Sequence, residues 1–438
     1  MEKTRKNNTP KTPAKKYTPD ALTDFARQNA WLTLQDIIQK NKTLDEAFEA
    51  RCGRLPTRDK AFAYNLIATT LRYGLALDKL LNKLMTKPFP ENSPQHLLLR
   101  MGLCQLLLTD GVKDHAAIAT TVNLAKAHKL MHLSGVFNGV LRTAQRTYKK
   151  ADIQTSDTLP PWFSERLQHA YGQTKAADLT KALLKPACLD IRCRKGTPPQ
   201  GTTKLAGLPD GWRLDENTKA ADLHQALAEK AYYIQDNAAQ WPAFILAKHL
   251  KTEGPLLDVC AAPGGKALQL ADLTENFVVG ADISASRLRI MAENIAHTPR
   301  LQLIQADGFM PPFAPNSFSG ILLDAPCTAT GTLRRHPEVL YLRQPHDILA
   351  LQKRQRDLLK ATTPLLKKNG VLVYAVCSLF AEEGEDQQDW ITKNLPLKPL
   401  PLQNCPSVFK ENQPTANALR LTPLDGTDGF YIALYQKT

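Results

Sequence analysis

The sequence predicts a multidomain chain: an all-α N-terminal domain, a small α+β linking module, and a C-terminal α/β domain on a parallel sheet. Three observations predict it. Apolar residues recur with a period near 3.6 from residue 21 to about 148. From Gly254 onward, short continuous apolar runs alternate with helical stretches. Residues 149–253 keep neither pattern for long. A helical period means faces packed on one core, and apolar runs between helices mean strands buried on both faces.

Taken in order, residues 1–20 hold six Lys/Arg (Lys3, Arg5, Lys6, Lys11, Lys15, Lys16) and almost no apolar side chains. Such a segment reads as a disordered basic tail. Over 21–148, Leu22, Phe25, Ala26, Ala30, Leu34, Ile37 and Ile38 fall at three- and four-residue spacing. Phe62, Ala63, Leu66, Ile67 and Leu71 repeat it, as do Leu103, Leu106 and Leu107. These are amphipathic helices, punctuated by Pro56, Pro88, Pro90 and Pro94. Arg142 and Arg146 stand where cations suit the end of the last helix. In 149–253, residues 162–171 read as a helix, 189–194 and 232–235 as short strands, and the Gly/Pro/Thr-rich piece 196–208 as a loop. In 254–438, strands are expected at 256–260, 277–282, 301–306, 320–324, 371–376 and 430–434. Helices at 264–273, 284–297, 344–366 and 382–395 lie between most of them, giving a parallel sheet covered on both faces. Ligands of such sheets bind beyond the carboxyl ends of the strands.

Composition narrows the class. Hydrophobic residues make up 43% of 438, ordinary for a soluble protein, and no run approaches the ~20 apolar residues of a membrane span. The Lys- and Pro-rich start is no secretory signal, so the cytoplasm is the expected compartment, with no membrane partner. Eight cysteines are too few for a disulfide scaffold. Cys188 and Cys193 lack a second ligand pair and His115 lacks a partner one helical turn away, so no metal is expected. A net charge of +14 favours a polyanionic partner, nucleic acid first.

The segment most specific for chemistry is Leu257-Asp258-Val259-Cys260-Ala261-Ala262-Pro263-Gly264-Gly265-Lys266. A buried strand runs into a glycine turn and then a helix, whose free N–H groups can meet a ligand. A phosphate-binding P-loop would need Gly at 260 and Ser or Thr at 267, where this chain has Cys260 and Ala267. The dinucleotide pattern G-x-G-x-x-G is absent. S-adenosylmethionine remains. Asp282, at the end of the second strand, can accept both ribose hydroxyls, as acidic residues do in dinucleotide folds. Asp307, after the third, can reach the adenine side.

The fourth strand ends in Leu322-Leu323-Asp324-Ala325-Pro326-Cys327, and the fifth in Tyr374-Ala375-Val376-Cys377-Ser378. Two thiols thus follow sheet strands on the expected ligand face. Carbon 5 of cytosine is too weak a nucleophile to take a methyl group unaided. A thiolate adding to carbon 6 makes it enamine-like, which is covalent catalysis. Asp324 could hydrogen-bond the polar edge of the base. A base must then remove the carbon 5 proton, and the target must be unstacked.

On these residues the chain resembles the RNA cytosine-5 methyltransferases of the Sun/Fmu family, which methylate a cytosine of bacterial 16S ribosomal RNA. Residues 331–338 (Gly-Thr-Leu-Arg-Arg-His-Pro-Glu) and 426–431 are similar too, and 21–148 resemble the helical NusB-like domain that the family carries. The resemblance implies a NusB-like RNA-binding domain at 21–148, a linking module at 149–253 and a Rossmann-like methyltransferase domain at 254–438. It implies that Cys260, Ala261, Ala262, Pro263, Gly264, Gly265, Lys266, Asp282, Asp307 and Asp324 bind S-adenosylmethionine or sit beside it. It implies Cys377 as nucleophile, Cys327 as the residue assisting product release, and a monomer acting on small-subunit rRNA. Two positions depart from the family pattern: Val376 replaces the usual Thr, and Arg192-Cys193 stands where Arg-Val-Asn is common. The same reaction on transfer RNA, and a non-catalytic RNA-binding or ribosome-assembly role, are the alternatives. DNA methylation is disfavoured, because no Glu-Asn-Val motif is present.

Overall fold

The fold is that of a computed structural model, describing residues 19–215, 227, 229, 231–295, 298–403 and 407–438. The expected basic tail falls outside them, except where α1 begins at Pro19. The chain forms two compact units, residues 1–154 and 155–438.

The first unit holds α1 (Pro19–Lys40), α2 (Leu44–Cys52), α3 (Thr57–Arg72), α4 (Gly74–Leu84), α5 (Pro94–Leu108), α6 (Asp114–Ala127) and α7 (Ser134–Thr147). Thr43 and Glu46 close a reciprocal capping box at the start of α2, satisfying two N–H groups that the helix cannot bond itself. α5 is the central helix: Leu97–Cys104 are buried on all sides, and it packs on α1, α3, α4, α6 and α7. The predicted faces hold at Ala26, Ala30, Leu34, Leu66, Ile67, Leu71 and Leu103, all buried. Phe25 is instead 40% exposed, because it stands at the edge of the α1 stripe. Inside α5, Arg100 and His96 close on Asp78 of α4 at 2.7 and 2.8 Å, so the buried Asp78 carboxylate is paired.

The second unit opens with α8 (Pro161–Tyr171) and α9 (Gln173–Leu183), followed by a small antiparallel sheet of order β2-β3-β1-β4. Its strands are β1 (Asp190–Cys193), β2 (Thr202–Lys204), β3 (Gly211–Leu214) and β4 (Tyr232–Ile234). The segment expected to be a loop therefore contains β2, a short, largely exposed edge strand with no apolar alternation to betray it. A helix over Asn237–His249 leads into the main sheet. The strands of that sheet are β5 (Leu256–Asp258), β6 (Val278–Asp282), β7 (Leu301–Gln305), β8 (Phe318–Asp324), β9 (Leu366–Val376), β10 (Leu397–Pro399), β11 (Ala418–Leu421) and β12 (Phe430–Lys437).

Its order is β10-β12-β9-β8-β5-β6-β7, with β11 beside β12. The strands from β9 to β7 are parallel, but β12 runs antiparallel to β9, β10 and β11. The sheet is mixed, which corrects the expectation of a parallel one. β12 is buried on both faces, so its continuous apolar run does not reveal direction. Along β9, Val371, Val373 and Ala375 face one core with Trp241 and Leu246, while Leu372, Tyr374 and Val376 face the other with Leu358 and Leu359. Burial on both sides fixes the register, and with it the point where each functional loop leaves the sheet.

Candidate active site

The turn after β5 is shaped by close packing. Gly264 has φ +107°, and a Cβ there would lie 2.7 Å from Met291; one at Gly265 would lie 2.9 Å from Tyr233. The turn is tied to β6 by Ala261 N–H donating to Ala281 O at 2.9 Å, and the Ala262–Pro263 peptide is cis. Asp282 is buried. It accepts from Ser284 N (2.9 Å) and Arg287 Nη2 (2.9 Å) on Oδ1 and from Ala262 N (3.3 Å) on Oδ2, which leaves acceptor capacity on Oδ2. Asp307 accepts from Phe309 N at 2.9 Å.

Two cavities open at the carboxyl ends of the strands. One, of about 490 Å³, is lined by Cys260, Ala262, Asp282, Asp307, Phe309, Asp324, Cys327 and Cys377, among others. The second, of about 390 Å³, is lined by Asp258, Ala261, Pro263, Gly265, Lys266, Tyr233, His336 and Phe430, among others. Cys260, Ala262, Asp324 and Cys377 line both. Of the residues singled out in the sequence, only Gly264 lines neither; it packs toward Met291.

Where the cavities meet, Cys327 Sγ and Cys377 Sγ are 3.3 Å apart, both as free thiols. The contact with Cys377 and burial hold the Cys327 thiol well above its ordinary range, so it keeps its proton. Burial pushes Cys260 up to about 12, helped by Asp258, Asp324 and Asp282; it serves the turn as a small side chain. Lys266 Nζ meets Asp324 Oδ2 at 2.6 Å. Burial alone would lower the Lys266 pKa, but the charge and hydrogen bond of Asp324 outweigh it and the net shift is upward.

Residues 244–436 match the family described as 16S rRNA methyltransferase RsmB/F, and residues 24–146 match the NusB family. The chain is 30% identical to the probable ribosomal RNA small subunit methyltransferase B of Synechocystis, over 94% of this chain and 99% of that protein. It is 33% identical to the ribosomal RNA small subunit methyltransferase B of Pasteurella multocida, over 92% and 93%. The chain belongs to the RsmB/F family of 16S rRNA methyltransferases. Among solved structures, PH0851 shares the fold at a TM-score of 0.77 with 20% identity, covering 95% of this chain and 99% of that one. NSun6 from Pyrococcus horikoshii, solved with SFG, shares it at 0.52 with 21% identity, over 64% and 98%.

In this methyltransferase the two cysteine loops are locked to each other. Gly331 N donates to Cys377 O at 3.0 Å, and Gly429 N to Gly331 O at 2.8 Å. Buried Glu383 accepts from Thr328 N (2.9 Å), from Thr328 Oγ1, and from Gln355 Nε2 (3.0 Å). Arg343 caps the same loop through Cys327 O and Thr328 O. Residues 155–184 brace it from outside: Phe163 and Leu167 pack with Leu379 and Phe380, and Tyr171 OH donates to Leu379 O at 2.9 Å. Arg335 joins Asp236 (2.7 Å) to Asp428 (2.9 Å). Arg192, next to the departure from the family pattern at Cys193, pairs with Asp272. Tyr233 and Glu383 lie in no motif that the sequence offers, while Asp258, Arg335 and His336 lie in the motifs above but were given no role. The one available signal was the stretch 331–338, which was read as a resemblance without roles.

Proposed function

We propose that this enzyme methylates carbon 5 of a cytidine in small-subunit rRNA through a covalent adduct on Cys377. The observation that carries the reading is the thiol pair at 3.3 Å, at the junction of two cavities and beside the Lys266–Asp324 pair. The residues around the 490 Å³ cavity suit S-adenosylmethionine, with carboxylates for the ribose (Asp282) and the adenine side (Asp307), an apolar wall at Phe309, and the thiols at one end. Bound there, it supplies the sulfonium methyl group. The flipped cytidine occupies the neighbouring cavity. Cys377 adds to carbon 6, Asp324 holds the polar edge of the base while Lys266 balances its charge, and carbon 5 becomes the nucleophile. Cys327, holding its proton, hydrogen-bonds the departing Cys377 sulfur. Action as a monomer in the cytoplasm, where small subunits are assembled, completes the reading.

The test separates the thiols. Cys377→Ala abolishes methylation and leaves no covalent complex. Cys327→Ala, incubated with 16S rRNA and S-adenosylmethionine, gives a shifted protein–RNA band on a denaturing gel, and the double variant gives none. A band with Cys377→Ala and none with Cys327→Ala would reverse the assignment.

A further inference from the structure

The two thiols are anchored differently. Cys377 directly follows β9, whose residues 370–376 are all buried, and its carbonyl accepts from Gly331 N. Cys327 lies in the loop beyond β8, so its place depends on its two neighbours. Gln355 Nε2 donates to Pro326 O at 3.0 Å, and Thr328 N donates to Glu383 Oε1 at 2.9 Å. Glu383 Oε1 also accepts from Gln355 Nε2 at 3.0 Å, so one carboxylate oxygen joins the two grips. Its Oε2 accepts from the Thr328 hydroxyl, which lies 3.2 Å from Ser378 Oγ, beside Cys377. The Glu383 carbonyl is tied to β9, accepting from Tyr374 OH at 2.7 Å. Arg343 adds two longer bonds, to Cys327 O (3.4 Å) and Thr328 O (3.3 Å). Glu383, Gln355, Thr328 and Ser378 are fully buried. The donors to the Glu383 carboxylate named here are uncharged, and keeping a carboxylate among them costs desolvation. Filling the space needs no such group. What the carboxylate adds is a grip on the residue after Cys327. Its charge also adds to the contact with Cys377 and the burial that keep the proton on Cys327.

We propose that Glu383 is a positioning residue for product release: through Thr328 it holds the Cys327 S–H against the sulfur of Cys377, the group that leaves the methylated base. This rests on the roles given to the two thiols above. Glu383 lines neither cavity, so its effect on the chemistry passes through the loops it holds. Removing the grip should loosen Cys327 while Cys377 stays with its strand. Methyl transfer, which needs Cys377, should then suffer less than release, which needs both thiols.

The experiment uses the full chain, 16S rRNA, and S-adenosylmethionine labelled with carbon-14 in the methyl group. First-turnover methyl transfer and the release of methylated RNA are timed separately, and the covalent band is followed on a denaturing gel. In Glu383→Ala, release should slow about tenfold or more beyond any slowing of transfer, the scale of one lost charged hydrogen bond. The label should accumulate in a shifted protein–RNA band. Glu383→Gln, whose remaining oxygen can still accept from Thr328 N, should recover part of the release rate. Adding Glu383→Ala to Cys327→Ala should slow release no further than Cys327→Ala alone, since residues that act as one unit do not add. If Glu383→Ala does not fold, Thr328→Val decides: deleting only the hydroxyl arm of the grip should give the same split more weakly. Equal slowing of transfer and release, absence of the band, or additive slowing in the double variant would overturn the proposal. If Cys327→Ala itself leaves no band, the thiol roles fail first, and the proposal falls with them.

Discussion

Asp282 and Asp258 end neighbouring strands, yet their surroundings predict different behaviour. Asp282 faces two backbone N–H groups and Arg287, and on the reading proposed above it accepts the ribose hydroxyls. A charged hydrogen bond contributes about 1.5–3 kcal/mol, so Asp282→Ala should weaken S-adenosylmethionine binding roughly tenfold or more. Calorimetry returning wild-type affinity would refute the ribose assignment. Asp258 is 1% exposed. Burial, which outweighs the nearby Lys266, raises its pKa from 3.8 to about 7. Between those values the folded chain holds a proton that the unfolded chain has lost, so this group's contribution to stability declines as pH rises from about 4 to about 7. Asp258→Asn removes the titration. The melting temperature of the variant, relative to the wild type, should therefore climb from pH 4 to pH 8. A difference that stays constant with pH would contradict it.

At the scale of elements, the site is a meeting of loops held by backbone contact. A Cβ on Gly331 would lie 2.0 Å from Gly429 O, and backbone cannot swing aside as a side chain can. Gly331→Ala should force apart the loops that carry Cys377 and the C-terminal strand, costing about 1–3 kcal/mol as overpacking does. A lower melting temperature with slower first-turnover methylation is expected, and an unchanged denaturation midpoint would remove the argument. This level also explains what was legible beforehand. Asp324 and Ala375 are register partners on parallel neighbours β8 and β9, and the two cysteines follow them closely, so apolar runs and spacing sufficed to bring the thiols together. The helix Asn237–His249 went unread, since Pro242 inside it looks like a break. The antiparallel β12 was misread because burial on both faces hides direction. His336 and Glu383 were out of reach for another reason. Their partners depend on the path of loops between strands, which no periodicity encodes.

Across the whole molecule the charge is divided unevenly. Residues 1–154 hold 25 Lys and Arg against 13 Asp and Glu, a net +12, while residues 155–438 hold 31 against 29, a net +2. Every residue lining the two central cavities belongs to the second unit. On the proposed reading, chemistry belongs to the second unit and most of the polyanion attraction to the first, and their energetics should separate. Phosphate contacts release counterions, so log affinity falls linearly with log salt, with a slope proportional to the number of phosphates neutralised. The full chain should therefore show a steep salt dependence for rRNA. A chain lacking residues 1–154 should bind more weakly at low salt and show a shallower slope, with affinity for S-adenosylmethionine preserved. Filter binding across a salt series, paired with calorimetry for the cofactor, reads both quantities on the same preparations. Equal slopes for the two chains would place the RNA contacts on the nearly neutral second unit, and the NusB-like domain would lose its electrostatic role in substrate capture.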